Sequence, residues 1–315
     1  MTSDEAARLL ADGGKGEGDG DSQRDTFFWL HFSLANAATQ RWLQQHCHLP
    51  NAFFTYLHTQ GGSTPVEQED DALLGVVNDV LFDFQHDVSD VATMSLCVQP
   101  NIMVTARLKP LRSMDRLRQF VKAGSACQSS CDLLAQLLQN QANVLVEVVR
   151  QSSIKVDDIE DEVLVNRVLG KRAELSALHR LLVRLQRLLA PEPAAFIRLL
   201  NRPPNWITED EVQDLRQSAE EFASVVTECA ALVDRMKLIQ EELFDTITEQ
   251  NNRSLFLLTF ITVVLLPFNV VGGLFGMNVV GIPFATDSAG FWVIITVVTL
   301  LTSGVVWLLL QQFRR

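Results

Sequence analysis

Between Thr208 and Asn278 the sequence describes one helix that passes from a charged composition into an apolar one without interruption. Thr208-Glu209-Asp210-Glu211 has the form of a capping box, in which the threonine hydroxyl accepts from a backbone N–H and the Glu211 carboxylate reaches back to the cap. From there apolar residues recur at alternating three- and four-residue steps: Val212, Leu215, Ala219, Phe222, Val226, Cys229, Val233 and Met236, then, after polar Gln240, Leu243 and Ile247. That spacing is a heptad seam. No Gly or Pro stands in the segment before Pro267, so nothing breaks the helix ahead of the apolar run Leu255 to Phe275. At 1.5 Å per residue, Thr208 to Phe275 extends about 100 Å, more than a globular domain uses. The competing expectation is a helical hairpin beside a separate membrane anchor.

Leu255 to Phe275 and Phe291 to Leu310 are each long enough to cross a hydrocarbon core of about 30 Å, and no third stretch is. The connection between them, Gly276 to Gly290, carries the single charge Asp287, whereas Arg253 precedes the first span and Arg314-Arg315 follow the second. The positive-inside rule then predicts an integral protein of the plasma (inner) membrane with both termini cytoplasmic. Residues 251–315 carry a net +2, so the acidic balance of the chain, −12 overall, resides in residues 1–250. A body of that charge argues against nucleic acid as a partner, and fits either solubility or the attraction of cations.

Residues 1–25, rich in Gly, Asp, Ser and Lys, read as a disordered or weakly helical tail without a signal peptide. Phe27 to Leu34 reads as a first strand and Asn36 to Cys47 as a helix. Ala72–Val80, Val91–Val98 and Ile102–Ala106 are further strands, the last two joined by the turn Gln99-Pro100-Asn101 into a hairpin. Helical spacing follows in Met114–Ala123, Cys131–Arg150 and Val156–Ala190. Pro191-Glu192-Pro193 is expected to end the last of these, Ala194–Leu200 to make a short helix, and residues 202–206 to form the joint before the long helix. The predicted fold class is α+β: an α/β/α cytoplasmic domain, a long stalk helix and two C-terminal transmembrane helices. The expected divisions are a tail at 1–25, the cytoplasmic domain at 26–205, the stalk and pore helix at 206–275, an outer loop at 276–290 and the second span with the C-terminus at 291–315.

The soluble part offers little chemistry. It has no GxxxxGK[ST] phosphate loop, no GxGxxG and no GxSxG elbow, so no enzyme and no cofactor are expected. Disulfides are not expected among Cys47, Cys97, Cys127, Cys131 and Cys229 in the cytosol. His46-Cys47-His48, with His31 and His58 not far off, is the one cluster resembling metal ligands, but neighbouring residues at a helix end do not converge on one ion. Cys127 and Cys131, at i and i+4, would share a face if helical and lack partners in sequence, so no metal is assigned in the soluble domain.

Gly276-Met277-Asn278 directly ends the first of the two spans, and in that place it resembles the signature of the CorA superfamily of divalent-cation transporters. The following Val279-Val280-Gly281-Ile282-Pro283 is similar to the loop of the ZntB branch and lacks the acidic Met-Pro-Glu-Leu type of the magnesium channels; Val280 departs from it where a second glycine is common. Trp29-Leu30-His31, Thr93-Met94-Ser95-Leu96, Val104 to Arg107 and Leu108 to Leu111 resemble that branch's soluble domain. The resemblance covers nearly the whole chain. It implies a homopentameric funnel with the long helices around a central pore, the second spans in an outer ring, and Gly276, Met277 and Asn278 as the cation-selecting mouth. It also implies zinc as substrate, with proton coupling proposed for some members.

The residues carry a reading of their own. Leu255, Thr259, Thr262, Leu266, Asn269, Gly273 and Gly276 form a single stripe along the first span, and Thr and Asn there suit a water-filled pore or hydrogen bonds between helices. Leu255 and Leu266 are apolar constrictions on that stripe, and Pro267, which frees the Val263 carbonyl, predicts a bend. Residues 251–315 contain no His, Cys or Glu, so an ion crosses with much of its water, held by Asn278, Asn269 and backbone carbonyls. Any proton coupling then acts through Asp287 at the outer mouth or through Glu241, Glu242, Asp245 and Glu249 just below the span, which form either a cation-attracting funnel or an ordinary solvated face. A channel for magnesium, cobalt or nickel is the alternative within transport. A membrane-tethered oligomeric scaffold or sensor is the alternative of another class, and it leaves the polar stripe unexplained.

Overall fold

The computed structural model describes residues 27–36, 38–57, 66–81, 91–124, 127–164, 170–277 and 289–313. They fall into two compact units, Met1–Gln240 and Glu241–Arg315. The first contains a five-stranded sheet of order β1-β5-β4-β3-β2, with β1 Phe28–Ser33, β2 Val66–Glu69, β3 Ala72–Val80, β4 Val91–Gln99 and β5 Ile102–Arg107. Only β1 and β5 run parallel; the remaining neighbours are antiparallel, and Gln99 pairs with Ile102 across the predicted hairpin turn.

The sheet is covered on both faces, which makes this unit an α/β/α sandwich. Along β3 the side chains alternate: Ala72 and Leu74 join Leu43 of helix α1 (Ala38–His46) and Phe53 of α2 (Asn51–Tyr56), whereas Leu73 and Val77 join the opposite core. That second core takes Met114 and Leu117 from α3 (Arg112–Lys122), Leu134 and Leu138 from α4 (Ser130–Leu164), and Phe196 from α6 (Pro191–Leu199). It also takes Leu215 and Ala219 of the long helix α7 (Glu209–Phe275). All nine residues of β3 are buried, as a strand sandwiched by helices requires. Gly75 lies at its centre because a Cβ there would stand 3.3 Å from the Leu96 side chain.

Several boundaries differ from the sequence reading. The segment read as two helices around residues 150–156 is the single helix α4, since Gln151 to Lys155 contains no breaker. The interruption comes instead before α5 (Lys171–Leu189), at Gly170, whose φ of +84° suits glycine and few other residues. Pro191 begins α6, where its missing N–H costs nothing in the first turn. The sequence reading lacked α2 and β2. The predicted tail at residues 1–25 lies outside the described residues.

The second unit contains the C-terminal part of α7 and helix α8 (Gly290–Phe313). Both are long and apolar enough to span a bilayer, with mean hydropathies of 2.3 and 1.9 over their most apolar stretches.

Candidate functional site

Helix α7 carries the predicted pathway residues from Glu241 to Gly273, with Gly276 and Met277 just past its end, and its start is built as the sequence specifies. The Thr208 N–H donates to Glu211 Oε2 at 2.9 Å, and the Glu211 N–H returns to Thr208 Oγ1 at 3.3 Å. Glu209, Asp210 and Glu211 place three carboxylates in the first turn, where the helix dipole favours negative charge. The heptad seam then packs inward: Leu215, Ala219, Phe222, Val226, Cys229, Val233 and Met236 are all buried, with Val212 at the margin. Arg235 pairs with Asp157 at 2.6 Å and with Glu160, tying this helix to α4.

The seam ends in the second unit. Leu243 is buried and Ile247 half-buried, and from Thr248 to Met277 no residue is buried within the chain. Leu255, Thr259, Thr262, Leu266, Asn269, Gly273 and Gly276 are all exposed, Leu255 at 60% and Leu266 at 58%. A surface of this composition requires lipid or further protein around it. Thr262 Oγ1 donates to the Leu258 carbonyl at 2.8 Å, so that hydroxyl is satisfied within its own helix. The Asn269 amide has no hydrogen-bond partner among the described residues.

Pro267 lies inside α7, which continues past it to Phe275. The helix closes with the Gly276 N–H donating to the Gly272 carbonyl at 2.9 Å. A Cβ on Gly276 would stand 2.9 Å from that same oxygen, so only glycine fits this turn. Met277 follows, exposed. Asn278 and Asp287 lie outside the described residues.

Glu241, Glu242, Asp245 and Glu249 are all exposed. Counting 3.6 residues per turn from Leu255, Glu241 falls about 40° away, Asp245 about 80°, Glu249 about 120° and Glu242 about 140°. The predicted funnel carboxylates thus fan across one side of the helix, with Glu241 nearest the line of Leu255 and Glu242 farthest from it. On α8, Gly290, Val298 and Thr302 are buried, and the Thr296, Thr299 and Thr302 hydroxyls each donate to the carbonyl four residues earlier.

In the soluble unit the described histidines and cysteines are divided between the two faces of the sheet. Cys47 belongs to the core beneath α1 and α2, whereas His31 points to the opposite face of the sheet. There His31 Nε2 accepts from Arg107 Nε at 2.8 Å, and Thr105 Oγ1 meets both His31 Nδ1 at 2.9 Å and Trp29 Nε1 at 3.1 Å. Burial, with the Arg107 and Arg118 charges adding to it, pushes the His31 imidazole down to about 4, so at neutral pH it is uncharged. The Trp29-Leu30-His31 and Val104 to Arg107 stretches are therefore a staple between β1 and β5. Among the described residues no group of three or more His, Cys, Asp or Glu is placed to hold a metal ion.

Comparison with known proteins agrees with this architecture. The sequence profile described as CorA-like Mg2+ transporter protein matches residues 24–315. The zinc transport protein ZntB of Yersinia enterocolitica is 23% identical over 279 residues, which cover 89% of this chain and 85% of that protein. The divalent cation transporter CmaX of Pseudomonas aeruginosa is 26% identical over 293 residues, covering 91% and 86%. The solved full-length CmaX structure superposes with a TM-score of 0.77 at 22% identity, covering 96% of this chain and 92% of that one.

Proposed function

The chain belongs to the CorA-like Mg2+ transporter family and is a divalent-cation transporter of the membrane; on that premise we propose that its cation is zinc, carried largely hydrated through the central pore of a homopentamer. The observation that supports the pore is the stripe Leu255, Thr259, Thr262, Leu266, Asn269, Gly273 and Gly276, which places hydroxyls, an amide and glycines along one line of an apolar helix and is exposed among the described residues. Five such stripes around an axis give a channel lined by hydroxyls, amides and two apolar rings, with Leu255 and Leu266 as dewetting constrictions. Gly276, Met277 and Asn278 form its outer mouth, where five Asn278 amide oxygens hold a cation through its water shell.

Residues 251–315 contain no His, Cys or Glu, so the spans provide no nitrogen or sulfur ligand set able to strip zinc of its water. Glu241 and Asp245 gather cations at the inner end of the pore, and protons enter the cycle through them or through Asp287. Both termini face the cytoplasm and the membrane is the inner one. The ZntB relatives and the loop after Asn278 favour zinc, while the family description keeps magnesium as the second reading.

The stripe is tested with Asn269→Leu and Leu257→Ile, the second as a control on the opposite side of the helix, reconstituted in proteoliposomes. Asn269→Leu is expected to lower zinc uptake several-fold and Leu257→Ile to leave it unchanged. Equal flux in both removes Asn269 from the pathway.

A further inference from the structure

Beneath the sheet of the soluble unit lie two buried carboxyl groups, Asp79 and Glu192, neither of which forms an ion pair among the described residues. Glu192, in the first turn of α6, accepts at Oε1 from the Asn78 N–H at 2.5 Å and from Asn78 Nδ2 at 2.9 Å. Its Oε2 faces Gln141 Nε2 of α4 at 3.4 Å. The neighbouring Asp79 uses Oδ2 to accept from the Ser113 N–H at 2.9 Å and the Ser113 hydroxyl at 2.5 Å, and Oδ1 to accept from the Val80 N–H at 2.7 Å. Both residues are buried, Glu192 without any exposed surface.

The surroundings were followed element by element. From β3 come only Asn78 and the backbone; from α4, Gln141 and Asn140; from α5, the Leu188 carbonyl, which takes Asn78 Nδ2 at 3.1 Å. From α3 come Ser113 and the Met114 backbone. The nearby cations are otherwise engaged: Arg112 Nε donates to the Leu81 carbonyl and Arg116 pairs with Glu147. Arg107 senses the Asp79 charge, and among the described residues it forms no ion pair with it. Gln141 Oε1 is buried and lacks a donor. Among the described residues the cluster therefore holds two acids without an ion pair, an acceptor without a donor at Gln141 Oε1 and a donor without an acceptor at Asn140 Nδ2.

We propose that Asp79 and Glu192 form a proton-binding site of the cytoplasmic domain, in which Glu192 is held as the neutral acid at neutral pH while Asp79 stays ionised as the cap of α3. Two adjacent carboxylates in an apolar junction cannot both ionise at low cost, and the one with the charged-state donors keeps the charge. Asp79 has the N-terminus of α3 for that purpose, whereas Glu192 faces amides that serve a neutral acid as well. Burial raises both groups, Asp79 to about 6 and Glu192 well above its ordinary range with the Asp79 charge adding to it. Acidification then places a second proton on Asp79, and because the folded state holds that proton more tightly than the unfolded chain does, the junction of β3, α3, α4 and α6 gains stability when the cytosol turns acid. The site is separate from the cation path and stands whichever metal the protein carries.

The test is infrared spectroscopy of the full-length protein in D2O at neutral pH, with and without 13C-labelled glutamate. The wild type is expected to show a carboxylic-acid carbonyl band that shifts with the label and is lost in Glu192→Gln. Glu192→Gln, isosteric with the neutral acid, is expected to retain a thermal midpoint much closer to wild type than Glu192→Ala. Absence of a label-sensitive band in the wild-type protein overturns the proposal, and that spectrum needs no variant to fold. A Glu192→Gln protein that folds but is as destabilised as Glu192→Ala overturns it too.

Discussion

Arg107 Nε donates to His31 Nε2 across 2.8 Å, joining the last residue pairs of two parallel strands at the edge of the sheet. This bond requires a neutral imidazole, and burial enforces one. A histidine held at about 4 binds fewer protons folded than unfolded, so its stabilisation is intact above the ordinary 6.5 and is lost as pH falls toward 4. Its worth is on the order of 2 kcal/mol. We expect His31→Gln to flatten the fall of the soluble domain's stability over that window, read as thermal midpoint against pH. An unchanged slope contradicts the assignment.

Asp79 acts with the opposite sign. Its carboxyl is raised from 3.8 to about 6, so the folded state binds protons more tightly and stability declines as pH rises between those values. Asp79→Asn is expected to remove that decline, and because it alters the cap on Ser113, to destabilise at neutral pH by about 1–2 kcal/mol. Denaturant midpoints at pH 4, 5, 6 and 7 measure both effects.

Phe222 occupies the heptad seam of α7 with no exposed surface. Phe222→Ala is expected to cost about 3–5 kcal/mol through lost burial and a residual cavity. Thr208→Ala, which removes the reciprocal cap at the start of the same helix, is expected to cost about 1 kcal/mol. Unfolding of the purified protein separates the two, and a Thr208 effect as large as that of Phe222 would refute the ranking.

The division of the stalk carboxylates by helix face makes a transport prediction. Glu241→Gln, about 40° from the line of Leu255, is expected to reduce metal flux more than Glu242→Gln, about 140° from it. Equal losses in proteoliposomes would mean that these carboxylates act as a diffuse field and that no one face lines the inner mouth.

Much of this was legible because it rests on periodicity. The heptads, the capping residues Thr208 and Glu211, and the three apolar strands each depend on local spacing, and each formed where expected. The strand β2 escaped because Val66-Glu67-Gln68-Glu69 has one apolar residue and pairs on a single side. The end of α4 was misjudged because polar Gln151 to Lys155 weakens the apolar pattern without ending the helix. Glu192 was hidden by its two prolines, which read as a breaker, while its partners Asn78 and Gln141 lie 114 and 51 residues away. Along α7 the polar stripe could be picked out from residue type alone, whereas the angular spread of Glu241, Glu242, Asp245 and Glu249 about the line of Leu255 needed the continuous helix.

The most direct test of the central claim is metal uptake by proteoliposomes holding the purified full-length protein, comparing zinc with magnesium, with and without a pH gradient, and with Asn278→Ala alongside. The account predicts zinc uptake that exceeds magnesium uptake and changes with Asn278→Ala. Magnesium flux without zinc flux, or zinc flux indifferent to Asn278, contradicts it.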